Sequence, residues 1–252
     1  MRKIAIALSK GGTGKSTTAV NLSAGLARSG HRTLLVDLDT QGHVAEMVGV
    51  TPEHGLADLI MEEVNPDQCL TQARTSLYLL AGGEKLAQAT AMLSRRQFGA
   101  EHAVSEALKP FEDQFEYVIL DTAPAWDVLA IAAMFYAMEI LAPVSLETLS
   151  LQGLRDFMKR MKSVQRYHPT LQLRYVLPTF YDRRTRQSDE LLAKMQEHFP
   201  GLICDPIRYN VRLSEAPAYR QSIFEYAPKS AGAKDYQRLV ERIARDGQEK
   251  TT

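Results

Sequence analysis

Apolar runs of about five residues recur along the chain, each followed by a longer stretch whose apolar positions fall at helical spacing. Ile4-Ala5-Ile6-Ala7-Leu8 and Val118-Ile119-Leu120 are apolar at consecutive positions, so both faces of such strands are covered. The pattern predicts strands over Lys3–Ser9, Thr33–Asp37, Leu77–Ala81, Tyr117–Asp121, Ile140–Val144, Leu173–Pro178 and a short one at Leu202–Cys204. It predicts helices over Lys15–Ser29, Leu56–Met61, Gly83–Leu93, Ala100–Lys109, Asp127–Met138, Leu151–Tyr167, Asp189–His198 and Ala233–Arg245. Strands that alternate with helices imply a doubly wound α/β fold, with a mostly parallel sheet flanked by helices. With no repeat, low-complexity tract or long linker, residues 1–246 read as a single domain and residues 247–252 as a flexible tail.

Composition narrows the picture. A chain of 252 residues, 45% of them hydrophobic, can bury a full core. Its 30 basic and 30 acidic side chains cancel, so any nucleic-acid binding has to come from a local patch. Cys69 and Cys204 stand in no metal-like spacing and the six histidines are scattered, which points to a reduced, cytoplasmic protein without a metal cage. The N-terminus reads as a strand in place of a signal peptide, and no apolar run approaches the roughly 20 residues that span a bilayer.

Three segments carry chemistry. Lys10-Gly11-Gly12-Thr13-Gly14-Lys15-Ser16-Thr17 lies between the first strand and the first helix. Its glycines let backbone N–H groups curl around an anion, and the helix start adds unpaired N–H groups and a positive dipole end. Lys15 can reach β- and γ-phosphates, and the Ser16 hydroxyl can ligate Mg²⁺. Asp37-Leu38-Asp39 ends the second strand: two carboxylates there either face a metal or a held water, or form a polar strand end that caps the next helix. Asp121 follows the apolar run Tyr117–Leu120, as does the carboxylate that holds a Mg²⁺-bound water in nucleotide sites.

The lysine at position 10, beyond the one every phosphate loop has, narrows the reading. Together with Leu35–Asp39, Gln41-Gly42, the segment from Glu147 to Leu154, and Asn210–Pro217, it resembles the ParA/Soj branch of the deviant Walker A ATPases, whose relatives include MinD and the nitrogenase iron protein. The resemblance implies a Mg²⁺-dependent ATP hydrolase with a weak intrinsic rate, stimulated by a ParB-like or cargo-adaptor protein. It implies a homodimer in the ATP state that binds non-specific DNA and segregates or positions a cargo. Lys10 would reach the partner's phosphates, Lys15 its own, and Ser16, Asp37 and Asp121 would serve Mg²⁺. Asp39 would position the attacking water, and Asn210, with Arg208 and Tyr209 beside it, would meet the adenine.

Departures from the family pattern are local. Thr40 replaces a proline, Ala123-Pro124-Ala125-Trp126-Asp127 replaces a double proline and a small residue, and Ile207-Arg208-Tyr209 replaces Ile-Pro-Arg. Asp127 reads as the N-cap of the helix behind it. Arg155, Lys159, Lys162 and Arg166 form a basic stripe that reads either as a contact surface or as a solvated helix face. The resemblance places DNA contacts first at Arg184 and Arg212, then at Arg183, Arg186 and Arg220. The expected cargo is a chromosome or plasmid on the nucleoid. The alternatives are a protein cargo such as a carboxysome or chemoreceptor cluster, or a MinD-like membrane ATPase. The last would need the modest face of Tyr236, Leu239, Val240 and Ile243 to meet lipid, so no membrane partner is expected. Cluster sharing as in the iron protein lacks its cysteines. No DNA-reading segment is expected before the first strand, so operator binding is not anticipated.

Overall fold

The computed structural model describes residues 1–147 and 150–248; positions 148–149, inside the Glu147–Leu154 segment, and 249–252, most of the expected tail, lie outside the described residues. Among the described residues there are seven strands: β1 (Arg2–Ile6), β2 (Thr33–Asp37), β3 (Leu70–Arg74), β4 (Leu77–Leu80), β5 (Tyr117–Asp121), β6 (Glu139–Ser145) and β7 (Gln172–Thr179). They form one sheet in the order β3-β4-β2-β5-β1-β6-β7. All pairs are parallel except β3 with β4. The helices are α1 (Lys15–Arg28), α2 (His43–Val48), α3 (Leu56–Ile60), α4 (Pro66–Cys69), α5 (Lys85–Ser94), α6 (Ala103–Leu108), α7 (Val128–Tyr136), α8 (Ser150–Gln165), α9 (Arg186–His198), α10 (Val211–Glu215), α11 (Ile223–Tyr226) and α12 (Ala231–Gln248).

The period-two alternation of the strands sorts the two layers. Ala5, Leu34, Val36, Val118 and Leu120 pack into one core with α3, α5, α6, α7 and α8. Ile4, Ile6, Leu35, Ile119 and Leu177 pack into the other with α1, α2, α11 and α12. The central strands are therefore buried on both faces, as their unbroken apolar runs require. Because β1 leads into α1 on one face and its neighbour β5 leads into α7 on the other, their C-terminal ends flank a topological switch point, where ligands of such sheets bind.

The strand expected at Leu202–Cys204 is instead a single bridge, Val176 to Ile203. Pro206, which has no N–H to donate, interrupts the pairing. The antiparallel edge strand β3, with Gln72 and Arg74 in it, was hidden by its polar content, as edge strands often are. Asp127 does cap α7, its carboxylate accepting the N–H of Ala130 at 2.9 Å. α12 continues to Gln248, into the segment expected to fray. Tyr236, Leu239, Val240 and Ile243 are all buried, so the apolar face of α12 is consumed by the domain's own core.

Candidate functional site

The loop from Ser9 to Gly14 turns back over the end of β1. Gly12 and Gly14 adopt φ of 70° and 86°, the left-handed region where a side chain is strained. Gly14 caps α1 without any side chain to satisfy the first-turn N–H groups, which leaves them for an anion. A Cβ at Gly11 or Gly12 would meet nothing within 4 Å, so the concavity is open. From behind, the Thr179 hydroxyl at the end of β7 donates to the Thr13 carbonyl at 2.9 Å and pins the loop.

The two lysines behave differently. Lys15 is buried and donates to the Lys10 carbonyl at 3.0 Å. Burial lowers its pKa, opposed by the charges of Asp121 and Asp39. The Lys10 ammonium sits 3.2 Å from the Glu147 carboxylate, on the segment that leads into α8. Glu147 as a partner of Lys10 was not legible in the motif spacing.

The carboxylates meet because of sheet register: Asp37 pairs with Asp121 across β2 and β5, at the last rung of both strands. Both are almost fully buried. Asp37 Oδ1 accepts the N–H of Asp39 at 2.9 Å, whereas Asp37 Oδ2 and Asp121 Oδ1 are buried without a hydrogen-bond partner among the described residues. Desolvation raises the Asp37 pKa to about 6, against the backbone N–H groups of Asp39 and Val44. Desolvation, then the Asp37 charge, raises that of Asp121 to about 8, against the Ser16 hydroxyl and Lys15. Two unpartnered carboxylate oxygens beside a hydroxyl and a phosphate cradle form an all-oxygen donor set suited to Mg²⁺. Asp39 is half-exposed; its Oδ1 accepts the N–H of Gln41 at 3.0 Å, and its carbonyl accepts that of Gly83 at 3.0 Å. A Cβ on Gly82 would stand 2.6 Å from the Asp39 carbonyl oxygen, so the Gly82-Gly83 pair after β4 is part of this wall. The only signal for it in the sequence was a glycine pair after a strand.

Beyond Gly14 and Thr17 opens a cavity of about 170 Å³, lined by Phe180, Arg208, Tyr209, Asn210, Leu213 and Pro217, among others. Asn210 caps α10, its carbonyl oxygen accepting the N–H of Arg212 at 2.9 Å. The Arg208 guanidinium is committed to the buried Asp235, at 2.6 Å, so it forms the wall while Tyr209 stands exposed at the rim. A wider cleft of about 630 Å³, between Arg174 and α12, shares no lining residue with the phosphate loop, so size does not identify the site.

The candidate contact arginines are all exposed. Tyr181 bridges to the 207–209 segment through two backbone hydrogen bonds, which brings the Arg183–Arg184 turn beside it. Arg184 is held bidentately by Asp182, Arg212 by Glu215 at 2.8 Å, and Arg186 opens α9. Arg220 lies apart, packed on Gly49. On α8, Arg155, Lys159 and Lys162 face outward, Arg166 follows its end, and Leu154, Phe157 and Met161 are buried.

A family model described as an AAA domain matches residues 1–173. The chain is 37% identical to the chromosome-partitioning ATPase Soj of Thermus thermophilus, covering 96% of this chain and 95% of that one. It is 32% identical to the chromosome partitioning protein ParA of Caulobacter vibrioides, covering 96% and 94%. Among solved structures it is similar to cobyrinic acid a,c-diamide synthase of Mycobacterium smegmatis with bound ATP analog and magnesium: TM-score 0.84, 31% identity, 97% and 95% coverage.

Proposed function

Since the chain belongs to the AAA-domain family of Soj/ParA-like ATPases, we propose that it is an ATP-driven positioning switch, in which Mg-ATP closes a homodimer on DNA and hydrolysis reopens it. The observation that carries it is the division of labour between the lysines. Lys15 lies over its own loop, while the Lys10 ammonium is turned toward Glu147. A lysine turned away from its own loop in this way can neutralise phosphate charge in trans, as an arginine finger supplied by a second protein does.

In this reading Ser16, Asp37 and Asp121 hold Mg²⁺, which neutralises charge on the phosphates when bound. Lys15 and the first-turn N–H groups of α1 orient the β- and γ-phosphates, and Asp39 holds the attacking water. Asn210, Arg208 and Tyr209 form the base subsite. Arg184 and Arg212, with Arg183, Arg186 and Arg220 as further candidates, contact DNA phosphates without reading sequence. A ParB-like or adaptor protein stimulates hydrolysis, and the cargo is a chromosome or plasmid. A nucleoid location in the cytoplasm follows from the same reading.

Light scattering with and without Mg-ATP tests it. The unaltered protein should double its mass in Mg-ATP, and Lys10→Ala should stay monomeric while still binding nucleotide. A Lys10→Ala protein that dimerises like the unaltered one would remove the trans role.

A further inference from the structure

Between the Mg²⁺ donor Asp121 and the capped helix α7 runs the loop Thr122–Trp126, whose last residue is the chain's single tryptophan. The Trp126 ring meets Phe157 edge to face, centroids 6.0 Å apart at 80°, and the Arg160 guanidinium carbon lies 5.8 Å from the ring centroid. Phe157 is buried and Arg160 exposed, three residues apart on α8, so the indole is clasped between an apolar and a cationic side chain of one helix. The same helix passes beside the phosphate loop at its first turn: a Cβ built on Gly153 would sit 3.9 Å from the Lys10 Cβ. α8 thus packs on the loop after Asp121 and runs alongside the phosphate loop.

Leu8, Ser9, Thr122, Met134 and Phe157 line a crevice beside Trp126 with only about 10 Å³ of free space, so the indole is seated closely against the end of β1 and α8. Close packing of this kind transmits a displacement of the loop to its neighbours.

We propose that Trp126 is the positioning residue that ties the Asp121 loop to α8, holding Asp121 in place for hydrolysis and passing nucleotide occupancy to the helix. This rests on the ATPase reading above and concerns what the chain's own Trp126, Phe157 and Arg160 add to it. The indole touches neither nucleotide nor metal. Its contribution is to hold the loop, and misplacing a reacting group by about 1 Å costs roughly a hundredfold in rate.

The single tryptophan reports on itself. In the unaltered protein, indole emission should change on adding Mg-ATP and revert when EDTA strips the metal, with ATP binding followed separately by calorimetry. Trp126→Ala should lower kcat by about tenfold or more with KM for ATP within about twofold, because the loss is in orientation and not in binding. Trp126→Phe, which keeps a ring against Phe157, should recover most of that rate. Unchanged emission when calorimetry shows ATP bound would overturn the proposal. So would a Trp126→Phe enzyme as slow as Trp126→Ala, or a Trp126→Ala enzyme of full kcat. Failure to bind ATP at all would instead overturn the reading it rests on. If Trp126→Ala does not fold, the emission experiment and the Trp126→Phe rate still decide.

Discussion

Asp37 and Asp121 share a rung of the sheet, and each keeps one carboxylate oxygen buried without a partner. Without a cation this pair destabilises the folded chain once it ionises. A carboxyl whose pKa rises from 3.8 to about 8 on folding makes the folded state bind more protons than the unfolded one across that interval. Stability contributed by the protonated form is then lost as pH climbs from about 4 to about 8. The metal-free protein should therefore unfold at lower denaturant at pH 8 than at pH 5. Asp121→Asn should flatten this dependence and raise the unfolding free energy at pH 8, by at most about 5 kcal/mol for a shift of roughly four pKa units at about 1.4 kcal/mol each. It should also abolish Mg²⁺-dependent ATP hydrolysis. Urea titrations at the two pH values in EDTA check the first part; a variant no more stable than its parent would show that the pair is not strained. Ser16, Asp37 and Asp121 were legible as separate motifs that a parallel sheet brings to one edge. The rung that Asp37 and Asp121 share was not, because it depends on a register between strand positions 84 residues apart. Glu147 was hidden for the same reason, since only the tertiary fold brings it to Lys10.

α1 shows how much of an element a pattern reveals. Its limits and its position behind the phosphate loop follow from the glycine-rich stretch and the apolar spacing, and the helix over Lys15–Arg28 matches the expected one within a residue. What the pattern does not tell is how closely its neighbours approach. A Cβ on Gly25 would stand 2.4 Å from Val240 Cγ2 on α12 and 3.0 Å from the Phe224 ring on α11. Both neighbours are buried, and the valine is stiff at χ1. Helix propensity alone favours alanine over glycine by about 1 kcal/mol. Overpacking a core costs about 1–3 kcal/mol, and with two rigid neighbours it should win. Gly25→Ala is expected to lower stability by about 1 kcal/mol net of propensity, read as a lower urea midpoint at unchanged slope. A raised midpoint would mean that α12 can move aside. The short helices α2, α4, α10 and α11 escaped the pattern for a simpler reason: four to six residues carry too few turns for a periodic signal.

Across the whole molecule the charges sum to zero, so the long-range field neither draws in nor repels a polyanion. On the proposed reading, DNA contact would have to come from a local arrangement; two backbone hydrogen bonds zip Tyr181 to the 207–209 segment at the sheet's C-terminal edge, beside the Arg183–Arg184 turn. There Arg184 is engaged twice by Asp182, in the open. An exposed pair of this kind is worth about 0–1 kcal/mol, so a phosphate can displace the aspartate at little cost. Asp182→Ala should free the guanidinium and remove a negative charge, and so tighten DNA retention in Mg-ATP severalfold at low salt. Arg184→Glu should abolish retention with hydrolysis intact. If a dimer contributes Arg184 and Arg212 from each subunit, four phosphate contacts give a slope near −0.9 per contact, so affinity should fall about a hundredfold from 50 to 200 mM salt. A gel-shift series in salt with the three proteins tests this. An Asp182→Ala protein that binds DNA no better than its parent, or a salt slope near zero, would move the DNA surface elsewhere, with the outward cations of α8 as the next place to look.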